Sequence, residues 1–304
     1  MRYIHQTINK TIKAEAPSLT ETNFGYTVMP SRLLDHTGKP TRFIGNRRED
    51  TGEILGVATN RYGIVQNTDL VRDSEALFER EQMGDWSRKT VVTHGGARFY
   101  ALYDFTEHSV TVGKGDVLNL RLKVNNSFDG SQNASFTVGL FRLVCSNGLA
   151  IPVNTISLAR KHTGQVDSSF LARGITRALA GFKSSLPFLN RMTEVAVSRQ
   201  QGVTAIENLV KRGDLSARMS NHIIAKWNNP TYEQDAPRTA WSLYNAATEY
   251  LTHEVAPKRF EQAEKVTSAF VRALRTDGML EGQGIYLPTA GEMPSVTEEE
   301  EVLV

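Results

Sequence analysis

Seven residues constrain this chain more than any others: Leu118 to Val124 read Leu-Asn-Leu-Arg-Leu-Lys-Val. Side chains of a strand alternate between faces, so Leu118, Leu120, Leu122 and Val124 point one way and Asn119, Arg121 and Lys123 the other. Such a strand needs an apolar layer on one side and a polar surface on the other, the pattern of an antiparallel sheet covered by helices on one face.

Neighbouring segments extend the sheet. Arg98 to Phe105 (RFYALYDF) is aromatic and apolar enough for a mostly buried strand, and Lys114-Gly115-Asp116 marks a turn. Ser135 to Cys145 (SFTVGLFRLVC) reads as a further strand, bent or bulged at Gly139, where alternation gives way to an apolar run. Upstream, Gly25, Pro30, Gly38, Pro40, Gly45 and Gly52 punctuate short strands. Glu53 to Ala58 and Thr59 to Gln66 read as a hairpin with Asn60-Arg61 near its tip. Asn67-Thr68-Asp69 then offers a capping side chain to a helix whose Leu70, Val71, Leu77 and Phe78 recur at helical spacing.

After Asp167 the period becomes helical. Asp167 to Lys183 carries Phe170, Leu171, Ile175, Leu179 and Phe182 on one face. Leu215 to Trp227 follows an aspartate cap at Asp214, and Thr239 to His253 packs through a stripe of Trp241, Tyr244, Ala247 and Leu251. Pro257 opens a helix over Lys258 to Arg275, stopped by Asp277-Gly278. The expected class is α+β: an antiparallel sheet with a packed helix in the N-terminal half, a helical C-terminal half and a disordered acidic tail. The expected parts are a flexible arm over 1–22, a strand-rich core over 23–166, a helical region packed on it over 167–280, and the tail over 281–304.

Composition limits the function. The single cysteine, Cys145, excludes an internal disulfide and a cysteine-built zinc site. The chain lacks a run of roughly eighteen apolar residues and an apolar stretch of signal-peptide length at Met1 to Pro17, so a host-cytoplasmic location and no membrane are expected. Neither GxxxxGK nor GxGxxG occurs, and the seven histidines make no HxH, HxxxH or HExxH spacing, so neither a cofactor nor a metal is expected. The net charge of +2 conceals an asymmetry: Pro288 to Val304 holds five glutamates and no lysine or arginine, leaving +7 for Met1 to Leu287. Such a body attracts phosphate, and such a tail competes for the same surface or docks on a protein partner.

The densest polar cluster, Asn125, Asn126, Ser127, Asp129, Ser131, Gln132 and Asn133, follows the basic-faced strand and reads as a loop. Its residue types form ordinary hairpin turns, and they also donate to phosphate and sugar oxygens. Between Gly139 and Lys183 stand Arg142, Arg160, Lys161, Arg173, Arg177 and Lys183 against one acid, Asp167, with His162 beside them. Arg173 and Arg177, four apart, share a helical face, as Arg121 and Lys123 share a strand face. If those faces meet they form a groove for a sugar-phosphate backbone, with Tyr62, Phe128 or Tyr100 available for base stacking. The plainer reading is a solvated helix face beside a satisfied strand.

The stretch NNSFDGSQNASFTVGLFRLVCSNGLAIP, with Lys161-His162-Thr163-Gly164-Gln165-Val166 after it, resembles the signature of a phage- and plasmid-borne family of unknown function, the YfjQ/YafZ-like proteins. LGVATNRYGIVQN and TAWSLYNAATEYLTH look like further blocks of that family. The resemblance implies a mobile-element origin and, the family's function being unassigned, supplies no catalytic residues to carry over. The leading expectation is therefore a non-catalytic binder of nucleic acid, single-stranded DNA first, acting in annealing or recombination, with homo-oligomers in keeping with that role. Its candidate contacts are Arg121, Lys123, Asn125, Asn126, Ser127, Arg142, Asn147, Arg160, Lys161, His162, Arg173 and Arg177. Two alternatives stand: a host-interaction or anti-defence factor acting through protein binding, and a metal-dependent nuclease using Asp129 with Asp104 or Asp116.

Overall fold

The computed structural model describes residues 23–113, 115–142, 147–149, 186–255 and 260–275. The arm over 1–22, the helix expected at Asp167 to Lys183 and the acidic tail lie outside them. The described chain is α+β, with two antiparallel sheets and six α-helices, five of the helices in the C-terminal half. The first sheet holds β1 (Val28–Leu34), β2 (Pro40–Arg48) and β3 (Ile54–Thr59) in chain order. After α1 (Asn67–Arg80) comes a five-stranded meander, β4 (Trp86–Thr93), β5 (Arg98–Val112), β6 (Asp116–Ser127), β7 (Ser135–Arg142) and β8 (Asn147–Leu149). The helical half contains α2 (Leu186–Glu194), α3 (Arg199–Lys211), α4 (Ala217–Asn228), α5 (Ala240–His253) and α6 (Phe260–Arg275).

The alternation of β6 sets the arrangement. Leu118, Leu120, Leu122 and Val124 are fully buried, and with Phe99, Ala101, Tyr103 and Phe105 of β5 they form the apolar face. Leu70, Val71, Leu77 and Phe78 of α1 close over it, Phe78 meeting the rings of Tyr103 and Phe105 edge-on at 4.9 and 5.1 Å. The same cluster continues into the helices through Phe188, Ile206, Trp227, Tyr244 and Phe270, so one core joins both halves. No described helix is long and apolar enough to cross a membrane.

Several local expectations are corrected. The stretch after Thr59 pairs with nothing as a strand; β3 instead returns on β2, with Gly45 opposite Val57. Gly56 permits this small sheet to lie on the turn after β6, since a Cβ there would stand 2.5 Å from the Phe128 carbonyl oxygen. Asn67 does not cap α1. Gln66 occupies the cap position without a capping bond and instead holds both backbone groups of Val28. The β6–β7 register is unbroken from Leu118 opposite Arg142 to Asn125 opposite Ser135, so Gly139 carries no bulge. Ser216, not Asp214, caps α4. In α5 every residue from Ala240 to Leu251 is buried, not one stripe, because α2, α4, α6 and β8 all pack around it. Helices α2 and α3 were not read from the sequence.

Candidate functional site

Odd-numbered residues of β6 face away from α1, and so do Arg98, Tyr100 and Asp104 of β5. This back face is the polar one. Arg121 forms a two-pronged pair with Asp104 on the neighbouring strand, at 2.5 and 2.7 Å. Lys123 reaches across to α6, where its Nζ lies 2.8 and 2.7 Å from the two carboxylate oxygens of Glu264, and it stands 5.8 Å from the centre of the Tyr100 ring. Arg98 donates to Asp129 at 2.9 Å and to Glu261 of α6 at 2.6 Å. The face that reads as basic in sequence is thus matched, cation by cation, with carboxylates.

The polar run Asn125, Asn126 and Ser127 belongs to strand β6 rather than to a loop, and alternation divides it between faces. Asn125 and Ser127 hold the turn that follows: Asn125 donates to the Asn133 carbonyl at 2.9 Å and accepts from Ser135 at 2.6 Å, while Ser127 donates to the Gln132 carbonyl at 2.8 Å. Asn126 points to the α1 side, fully buried, and donates to Val65 and Asn67. Asn147 begins β8. Phe128 and Tyr100 are core residues, each 1% exposed, and Tyr62 donates its hydroxyl to the Ser127 carbonyl at 2.7 Å. Burial pushes the hydroxyls of Tyr100 and Tyr62 above the usual tyrosine range.

Arg142 has no exposed surface. It lies between Asp116 at the start of β6 and Asp235 in the turn before α5, with the Trp241 indole N–H donating to Asp116 at 2.7 Å. Asp129, Asp104 and Asp116, the carboxylates of the nuclease alternative, are each taken by a different arginine: Arg98, Arg121 and Arg142. Among the described residues no group of three or more His, Cys, Asp or Glu is placed to hold a metal. Arg160, Lys161, His162, Arg173 and Arg177 lie outside the described residues.

Between the back face and α6 runs an open groove of about 910 Å³. Tyr100, Lys123, Asn125, Gln132, Asn133 and Ser135 line its sheet side; Glu261, Glu264, Lys265 and Arg272 line its α6 side; Asp214 and Ser216 also line it. Three cations, Lys123, Lys265 and Arg272, therefore share it with three carboxylates, Asp214, Glu261 and Glu264. Burial raises the Asp129 and Glu261 carboxyls, but bonds from Ser131 to Asp129 and from Thr93 and Tyr100 to Glu261, with Arg98 on both, hold them below the usual carboxylate range. Arg98 and the α6 residues escaped the sequence reading. The available signal was helical spacing: Glu261, Glu264, Lys265, Ser268 and Arg272 share the side of α6 opposite Phe270 and Ala273.

The family model described as "Domain of unknown function (DUF932)" matches residues 54–275, more than half of the chain, and the chain belongs to that family. No curated protein and no solved structure matches it.

Proposed function

We propose that this DUF932 protein binds single-stranded nucleic acid, DNA in the first place, along the groove between the back face and α6, in support of annealing or recombination. One observation carries the reading: the groove sets the amides of Asn125, Gln132 and Asn133 and the Ser135 hydroxyl beside Lys123, with Lys265 and Arg272 opposite. Amides and hydroxyls bond to base edges and sugars, and the cations to phosphate. The groove is open to solvent, as access by a nucleic-acid strand requires. Arg160, Lys161, His162, Arg173 and Arg177 add to the reading from sequence alone. It also assigns the chain to the YfjQ/YafZ-like proteins of phages and plasmids, working in the host cytoplasm, with homo-oligomers and a tail-bound protein as further partners.

Fluorescence anisotropy with labelled single-stranded and duplex DNA tests it. Binding should favour the single strand and weaken steeply between about 50 and 200 mM salt. Arg173→Ala with Arg177→Ala should weaken it on every sequence alike. Salt-independent binding, or none, overturns the proposal.

A second reading, action through protein binding, is favoured by the first sheet. The exposed large hydrophobics among the described residues, Met29, Leu34, Phe43, Ile54 and Val57, all lie on it or at its edge. If that surface joins copies of the chain, Phe43→Ser with Val57→Ser dissociates the oligomer in sedimentation; an unchanged profile removes the surface from that role.

A further inference from the structure

We propose that the carboxylate side of α6 is a displaceable strap, and that Arg98 and Lys123 beneath it form a phosphate site which Glu261 and Glu264 occupy until a nucleic-acid strand displaces them. The proposal rests on the nucleic-acid reading and adds its regulation.

The sheet builds a receptor for an oxyanion where β4 and β5 meet. Thr93 donates to Glu261 Oε1 at 2.9 Å, Arg98 donates to Oε2 at 2.6 Å, the Tyr100 hydroxyl also serves this carboxylate, and His94 Nδ1 stands 3.4 Å away. Four side chains from two adjacent strands and the turn between them converge on one anion. That anion arrives on a side chain more than 160 residues further along the chain. Lys123 repeats the arrangement four residues from Ser127, the register partner of Arg98, by engaging both oxygens of Glu264.

Glu261 and Glu264 are three apart and so lie on one side of α6, laying a row of negative charge across the sheet as a phosphate backbone does. The attachments of α6 differ from side to side. Its apolar side, Val266, Phe270 and Ala273, is buried in the helical half, Phe270 lying 6.2 Å from the Tyr244 ring. Towards the sheet it presents the carboxylates, Lys265, Ser268 and Arg272 around an open groove. These ion pairs are part-buried, with side chains 18 to 24% accessible, so an incoming anion reaches them from the groove and takes over the same donors. Two of the groove's cations, Lys123 and Arg272, are held by Glu264 and Asp214 until a polyanion competes for them. Displacement frees Lys123 and the Nη1 of Arg98 for phosphate, Asp129 keeping the Arg98 Nε, and leaves α6 anchored by its apolar side.

The test uses the full chain and a fluorescein-labelled oligothymidine of roughly 20 nucleotides, longer than the ~4–16 nucleotides that one small binding domain covers. Glu261→Gln with Glu264→Gln should tighten binding at low salt by about tenfold. The same pair should steepen the slope of log affinity against log salt by roughly 1.4, two phosphates at about 0.7 each. Adding Arg98→Gln and Lys123→Gln should remove both gains. Hydrogen exchange on the unaltered protein supplies an independent readout: amides of 260–275 should exchange faster with the oligonucleotide bound. If the unaltered protein binds but the glutamine pair changes neither affinity nor slope and α6 exchange is unmoved, the strap is wrong and the nucleic-acid reading stands. If neither protein binds, both fail.

Discussion

Arg142 and Asp235 meet in a two-pronged ion pair, Nη1 to Oδ2 at 2.7 Å and Nη2 to Oδ1 at 2.9 Å, with the arginine wholly out of water. Arg142 ends β7 and Asp235 lies in the short turn that leads to α5, so this contact fastens the meander to the helical half. Its other partner, Asp116, begins β6, and Asn245 of α5 donates to Asp235 at 2.9 Å. Burial pushes the Asp235 carboxyl up, a rise that the Arg142 and Asn245 bonds reduce and the Asp116 charge reinforces.

Removing Asp235 leaves Arg142 paired with Asp116 but strands the two guanidinium N–H donors that Asp235 accepted from, and a buried donor left without an acceptor costs about 1–3 kcal/mol. Asp235→Ala should lower the unfolding free energy by that order in urea titrations at neutral pH, and Asp235→Asn by less, because an amide keeps an acceptor for Arg142. An Asp235→Ala protein within about 1 kcal/mol of the original would show that the pair does not hold the two halves together.

Phe78 is the largest buried side chain of α1. It is fully buried and touches Trp86, Tyr103 and Phe105 edge-on. Phe78→Ala should cost about 3–5 kcal/mol, and Phe78→Leu clearly less, since leucine refills much of the cavity. Equal losses for the two would point to a site that collapses around either side chain.

The apolar face of the meander was legible because it depends on neighbours in sequence: Leu118 to Val124 alternate, and Leu70, Val71, Leu77 and Phe78 keep helical spacing. The polar face was not, because its meaning depends on distant partners. Lys123 and Glu264 are 141 residues apart, and Arg142 and Asp235 are 93 apart. A lysine or arginine in a strand reads as free charge until the opposing carboxylate is located. The run Asn125 to Ser127 misleads for another reason: its residue types favour turns, and pairing with Arg98 to Tyr100 of β5, and of Asn125 with Ser135 of β7, keeps it in a strand. The place of α6 over the sheet left a polar stripe as its only trace in sequence.

Acid titration separates two opposing contributions. Asp129 and Glu261, both on Arg98, have folded-state carboxyls lowered from their ordinary positions. Their stabilisation is present above the unfolded range of about 4 and is lost as pH falls through the lowered values. Asp235 is raised, so its contribution has the other sign: present below the unfolded range and lost as pH rises through the raised value. Asp129→Asn with Glu261→Gln should flatten the fall in urea midpoint between about pH 5 and 3, and Asp235→Asn should not. An unchanged acid limb in the first variant would mean that Arg98 holds neither carboxylate in solution.

Gly56 tests how the first sheet is seated. A side chain there would point at the backbone of Phe128 and Asp129, not at a flexible chain end that could swing aside. Asn46 makes the adjoining contact, its amide donating to the Phe128 carbonyl at 2.6 Å, and Tyr26, Val28 and Phe128 form a small core of their own beside it. Because the principal core of β5, β6 and α1 does not include these residues, Gly56→Ala should cost about 1–3 kcal/mol by overpacking without unfolding the meander. In hydrogen exchange, amides of β1 to β3 should lose protection while those of β5 and β6 keep it. Uniform loss across both sheets would show that the two fold and unfold as one unit, and that the small sheet is part of the main structure rather than an element docked upon it.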